Sequence, residues 1–430
     1  MMMELTLQAL IGGVWHRAAI LEFPEPAKGQ AGACNFEYDF DYLTQWIGKD
    51  VPLASVSLGL PVGFGPSCSR RWPSFLDDLR PMGSALRWWL RRLDLRAEPA
   101  NELEVLRRGT IAPVGNLRIE QAVPPKDAPP RRFPRQAVID RENGFLDHAA
   151  DVGAQVGGAT GAGGDAPKLL VRQDASQQVW IDVWQDEPTT QDRHYLVKFA
   201  RGSSHLDRLV LRSEYAYYRA LAHLGVDTIP TDGMSLEEGP SGLSLWLPRF
   251  DVAWRDGREL RWGLESIYSL VGSAPGAYLT HQKVMKALNK VIPPQDWRDA
   301  QLEYLKRDLL NLVFGNSDNH GRNMALLKTD SVLRFAPVYD FAPMKMDPEG
   351  VTRTTRWDTF EAGGTIDWPA LLKSFGEEEE FLRAGLREFA GRLRDVPELL
   401  MEFDLPEETL RFPSIGLQRT EQKLREWTLL

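Results

Sequence analysis

At 430 residues the chain is too long for a single small core, and two or three subdomains are expected. Hydrophobic residues make up 43% and charged residues 26%, as in an ordinary soluble globular protein, and the formal charge of −9 argues against a general nucleic-acid binder. No run approaches the ~18 apolar residues of a membrane helix, so no membrane partner is expected. The two cysteines, Cys34 and Cys68, match no metal spacing and offer no disulfide framework, which points to a reducing, cytoplasmic compartment.

"MMMELTLQALIGG" lacks a basic leader and reads as a first strand, with residues 4–23 forming two strands joined at Gly12–Gly13. "FEYDFDYL" reads as a short aromatic strand. "LRWWLRRLDLR" (Leu86–Arg96) reads as an amphipathic helix with buried Trp and Leu and solvated Arg, or else as a local basic face. Residues 1–120 thus form a small α+β subdomain, and the Pro- and Arg-rich residues 121–150 read as a linker or surface crossing. Residues 151–255 hold a glycine run, the strands "QVWIDVW" and "HYLVKFA", the helix "RLVLRSEYAYYRALAHLG" closed by Gly225, and the strand "SLWLPRFDV". Long helical patterns dominate residues 256–430, including "WRDAQLEYLKRDLLNLVFG" and "EEEEFLRAGLREFAGRLRDVPELL". This order suggests an α+β, two-lobed nucleotide-binding enzyme, β-rich first and mainly helical afterwards.

Between two apolar runs lies "GNSDNHGRNMAL", and seventeen residues beyond Asn323 comes Asp340 in "APVYDFAP". Alone, Asp318 reads as a turn or N-cap residue and Asn323 as a C-cap. Together, Asp318, Asn323 five residues on and Asp340 after a short hairpin supply what phosphoryl transfer needs: a carboxylate for the attacking hydroxyl and oxygen ligands for Mg²⁺. The last triplet is Asp340-Phe341-Ala342, without the glycine of D-F-G. His320 has no second His or Cys close by to share a metal and reads as a brace of the loop beside the nucleotide. Lys198, mid-strand among apolar residues, needs an anion: nucleotide phosphates, or a carboxylate such as Glu214 on the following helix. Otherwise it lies on a solvated edge. The run from Gly157 to Lys168, with Gly161, Gly163 and Gly164, can bring backbone N–H groups to phosphates but matches no phosphate-loop motif cleanly.

The chain resembles the HipA family of toxin kinases, the serine/threonine kinase half of bacterial toxin–antitoxin pairs. "FEYDFDYL", "VSLGLPV", "PSFLDDLRP" and "LRRGTIAPVGNLRI" resemble its N-terminal subdomain. "YLVKFA", "RSEYAYYRALAHLGV" and "LPRFDV" resemble its nucleotide-lysine strand, next helix and hinge, and "GNSDNHGRNMAL" with "FAPVYDFAP" its catalytic and magnesium motifs. The resemblance implies an α+β, two-lobed protein-kinase-like fold, ATP and Mg²⁺ as cofactors, Asp318 as base, Asn323 and Asp340 as metal ligands and Lys198 on the phosphates. The adenine would meet Pro248, Arg249 and Phe250, largely through backbone groups. It implies an autophosphorylated hydroxyl in the glycine loop, for which Thr160 is nearest. It also implies a protein substrate with a Ser or Thr acceptor (an aminoacyl-tRNA synthetase in some relatives), and a small helix-turn-helix antitoxin through which DNA is met only indirectly. Two other readings share the Asp, Asn and Asp. One is a small-molecule phosphotransferase of the aminoglycoside or choline kinase type, which typically reads "HGD" where this chain has Asn316-Ser317-Asp318. The other is a catalytically dead nucleotide-binding regulator.

Overall fold

The computed structural model describes residues 2–111, 113–123, 130–152, 168–183 and 191–430. It divides into two compact units, each discontinuous in sequence. The first comprises Met1–Gly202, Asp232–Pro275 and Ala325–Ala336; the second comprises Ser203–Thr231, Gly276–Met324 and Pro337–Leu430.

The first unit is built on two antiparallel sheets. β1 (Met3–Ile11) and β2 (Val14–Phe23) form the expected hairpin, turned by Gly12 and Gly13 at φ +60° and +79°. Two positive φ values in a two-residue turn match the twist of the flanking strands, and glycine reaches both without strain. With β3 (Cys34–Tyr38), β4 (Ser67–Ser69) and β5 (Leu117–Ile119) they give the order β4-β3-β2-β1-β5. "FEYDFDYL" is only half strand: Asp39 accepts hydrogen bonds from the backbone N–H of Asp41 and Tyr42 and starts the helix Phe40–Trp46. That N-cap outweighs the aromatic β-propensity beyond it. The helix Gly83–Arg92 buries Ala85 and Trp89 while Arg87, Arg91 and Arg92 stay exposed, the amphipathic alternative.

The second sheet has β6 (Phe133–Pro134), β7 (Lys168–Gln173), β8 (Gln178–Ile181), β9 (Arg193–Phe199), β10 (Ser235–Gly239) and β11 (Gly242–Pro248), in the order β10-β11-β9-β7-β8-β6. Residues 121–150, expected to be a linker, are in large part structure. β6 pairs with β8, and the helices Arg135–Ile139 and Asn143–Asp151 bury Val138, Ile139 and Phe145 against Val171, Val197, Phe199 and Trp246 of the sheet. Two arginines of this stretch lie on aromatic faces: exposed Arg132 over Trp180 at 4.2 Å and half-buried Arg135 over Trp246 at 4.1 Å. The expected single strand "SLWLPRFDV" breaks at Pro248, and Val252–Arg255 starts a separate hairpin with Arg258–Arg261.

The second unit is mainly helical. It contains His205–His223, ended by Gly225 at φ +71°, then Trp297–Val313, Glu379–Leu393 and Val396–Glu402. Among the described residues no helix is long and apolar enough to cross a membrane.

Candidate functional site

The helix Trp297–Val313 ends at buried Phe314, and Gly315 at φ +68° turns the chain into the polar loop. A Cβ at Gly315 would stand 2.7 Å from Ile415 Cγ2, so both the turn and the close approach call for glycine. The crowd of polar residues noted in the sequence is spent on holding this loop. Asn316 donates to Asn311 Oδ1 at 2.9 Å and accepts from the Asp318 N–H at 3.3 Å, a local side-chain turn. Asn323 donates through Nδ2 to the Asp318 carbonyl at 2.8 Å, which leaves its amide oxygen as the atom it can present to a cation. His320 Nε2 lies 3.5 Å from Asp318 Oδ1, and its Nδ1 accepts from the Arg322 N–H at 3.3 Å.

Asn319, which sequence reasoning gave no role, clamps the loop to a second segment. Its Oδ1 accepts from the N–H of Thr354 and Thr355 at 3.0 and 3.2 Å, and its Nδ2 donates to the Thr355 carbonyl at 2.7 Å. That segment is itself held from below. Arg353 meets Asp308 at 2.9 Å and Glu361 at 3.1 Å, and the Trp357 indole donates to Asp308 at 2.8 Å and stacks on His281. Burial lowers the His281 pKa to about 4, with Asp308 opposing, so the ring is neutral near pH 7.

Asp340 arrives from the other side of the same unit. Tyr339 donates to the Arg322 carbonyl at 2.6 Å, tying the residue before Asp340 to the residue before Asn323. Asp340 sits at φ +50°, a left-handed conformation that costs a non-glycine residue about 1–3 kcal/mol. What holds it there is the next residue. The Phe341 N–H donates to Tyr218 Oη at 3.2 Å, Tyr218 donates to Glu214 at 2.8 Å, and the Phe341 ring packs on Phe314 and Tyr217. The helix His205–His223 therefore sets the pose of Asp340, a link that spacing alone could not reveal.

The donor set suits magnesium. One carboxylate and one amide oxygen, with water completing the shell, are what that ion takes, whereas a cage of protein side chains is not required. Among the described residues no three His, Cys, Asp or Glu side chains gather around a point.

In the first unit, Lys198 is buried at 4% exposure on β9, a central strand, so the solvated-edge alternative fails. Val197 and Phe199 face the core under the two short helices, and Lys198 lies on the opposite face, directly across from Lys168 of β7. Of the hinge residues, Pro248 closes β11 and the Arg249 N–H donates to the His194 carbonyl. The Arg249 side chain is committed to Asp251 at 2.6 Å and Asp182 at 3.0 Å, so any adenine contact at Pro248–Phe250 falls to the other groups there. Thr160, Gly161, Gly163 and Gly164 lie outside the described residues.

The HipA-like C-terminal domain family matches residues 160–396, more than half of the chain. No curated protein matches it in sequence. Among solved structures, HipA of the Shewanella oneidensis MR-1 toxin–antitoxin system, determined with HipB and operator DNA, is 18% identical. That match covers 97% of each chain at a TM-score of 0.70. The Helicobacter pylori proinflammatory kinase CtkA is 12% identical over 63% of this chain and 92% of its own, at a TM-score of 0.41. The fold is that of the Shewanella HipA, α+β, strand-rich in its first part and helical in its last. By its matched domain, the chain belongs to the HipA family.

Proposed function

We propose that the chain is an ATP- and magnesium-dependent serine/threonine protein kinase, acting in the bacterial cytoplasm as the growth-inhibiting toxin of a toxin–antitoxin pair. The observation that carries this reading is the joint fixing of Asp318, Asn323 and Asp340 within one unit: Asn323 on the Asp318 backbone, and Asp340 held at positive φ through Phe341 and Tyr218. Asp318, half-buried beside His320, orients the acceptor hydroxyl and takes its proton as the oxygen attacks the γ-phosphorus. The bond from phosphorus to the β,γ-bridging oxygen breaks, and ADP leaves with that electron pair. Asn323 and Asp340 hold the metal, which when bound neutralises charge on the phosphates. Lys198, with Lys168 opposite, serves the phosphates, and Thr160 is the candidate for autophosphorylation. A small helix-turn-helix antitoxin is the expected partner, in keeping with HipB beside the Shewanella HipA.

Phosphoproteomics of cells expressing the wild type or Asp318→Asn tests this. One serine or threonine enriched only with the wild type, together with relief of growth arrest by the mutation, is expected. ATP binding without transfer to any protein would favour the dead regulator, and transfer to small alcohols the small-molecule phosphotransferase.

A further inference from the structure

A corner of the second unit gathers three cations that make no ion pair among the described residues. The turn ending at Gly416 is seated on the root of the Asp318 loop: Ile415 packs on Gly315, Ser414 Oγ donates to the Lys345 carbonyl at 3.0 Å, and the Lys345 N–H donates to the Gly315 carbonyl at 3.0 Å. Three segments distant in sequence thus make one fixed point, and three cationic side chains surround it. Lys423 Nζ donates to the Ile415 carbonyl at 2.5 Å. A Cβ on Gly416 would lie 3.2 Å from Lys423 Nζ and 3.4 Å from Arg419 Nη2, so the two cationic groups converge on one spot. The backbone of Lys345 is fixed at the same point, and its charge acts on Lys423.

Among the described residues none of the three makes an ion pair, although the adjacent Arg425 pairs with Glu421 at 2.7 Å. The chain has 60 acidic residues against 51 Lys and Arg, so leaving these three together without an ion pair is not for want of acids. Burial and then the charges of Lys345 and Arg419 push Lys423 down to about 8, with Glu426 acting weakly the other way. Burial and Arg353 lower Lys345 as well. An anion seated between them would relieve this repulsion and find an exposed hydroxyl, Ser414, at its edge.

We propose that Lys345, Arg419, Lys423 and Ser414 form an oxyanion site for a phosphate group, either inorganic phosphate or a phosphate monoester. The residues differ from those assigned to the nucleotide, and the proposal does not depend on kinase activity.

The full chain, saturated with a non-hydrolysable ATP analogue and Mg²⁺ at fixed ionic strength, is titrated with inorganic phosphate and separately with O-phosphoserine. Thermal shift and ³¹P NMR follow the binding. Saturable stabilisation is expected, weakened at least tenfold in Arg419→Gln and in Lys423→Met, and retained in Asp340→Asn. Arg419 is exposed, so its variant reads the site even if Lys423→Met folds poorly. Tighter binding of O-phosphoserine identifies a monoester ligand, and equal or tighter binding of inorganic phosphate identifies the free ion. No saturable effect beyond that of chloride, or equal binding in wild type and Arg419→Gln, overturns the proposal.

Discussion

Asp182 in the first unit and Asp318 in the second are both aspartates set among polar partners, and they are held in opposite ways. The Asp182 side chain has no exposed surface; Arg249 lies 3.0 Å away, Arg261 3.1 Å and His194 3.4 Å. Burial alone would raise its pKa, yet Arg261 and His194 override that and hold the carboxyl ionised well below the usual range. Such a group cannot take a proton near neutral pH, and it works as a brace between β8, β9 and the hairpin Val252–Arg255 with Arg258–Arg261. Asp318 keeps 18% of its side chain exposed and faces an imidazole, while its position is enforced through its backbone by Asn316 and Asn323. Buried charge fixes the scaffold, and the carboxylate proposed as the base is positioned through its main chain, by Asn316 and Asn323.

The sharpest break of this contrast is Asp318→Asn. It should lower phosphoryl transfer by about 10²–10⁴-fold while leaving the melting temperature and circular dichroism unchanged. Retained activity would remove Asp318 from the chemistry, and a large stability loss would make it a brace like Asp182. Asp182→Asn should do the reverse. Leaving Arg249 and Arg261 buried without their shared carboxylate should cost about 3–5 kcal/mol in denaturant unfolding. An exposed-residue cost, under about 0.5 kcal/mol, would show the network to be incidental.

How much of this was legible from sequence follows from the reach of each contact. The hairpin at Gly12–Gly13, the helix closed by Gly225 and the Asp318–Asn323 spacing are all local and could be read directly. The brace was invisible because its members lie far apart: Arg249 is 67 residues from Asp182 and Arg261 is 79. The Asn319 clamp reaches 36 residues to Thr355, and Tyr218 reaches 123 residues to Phe341. Composition makes residues 121–150 look like a linker because Pro and Arg outweigh Val138, Ile139 and Phe145, whose burial depends on Val171, Val197, Phe199 and Trp246 far along the chain.

Acid separates the two units by their titrating groups. In the second unit, His281 has its folded pKa depressed from 6.5 to about 4, so protons bind the unfolded chain more readily and stability falls as pH drops from 6.5 towards 4. That span is worth about 3 kcal/mol at 1.36 kcal/mol per unit. In the first unit Glu259 is held at about 2: burial would raise it, but Arg261 and His194 outweigh that. Its contribution is present above about 4.5 and lost only as pH falls towards 2. Hydrogen exchange at pH 5 against pH 7 should therefore show amides around His281, Tyr304 and Trp357 losing protection before those of β8 and β9. The opposite order would mean that other groups dominate.

The smallest expected effect tests whether bracing also reaches the working residue. Asn319 contributes three hydrogen bonds to the segment at Thr354–Thr355 and touches neither carboxylate of the site by any of them. If the loop depends on this clamp for its pose, Asn319→Ala should lower kcat about tenfold with KM for ATP nearly unchanged, a loss of about 1.4 kcal/mol in the transition state alone. A purely structural clamp would instead lower the melting temperature and leave kcat per folded molecule intact. Asn319→Asp separates the two further, since it keeps the acceptor for the Thr354 and Thr355 N–H groups but loses the donor to the Thr355 carbonyl. Partial recovery of kcat in that variant is the result expected of a group that positions the base.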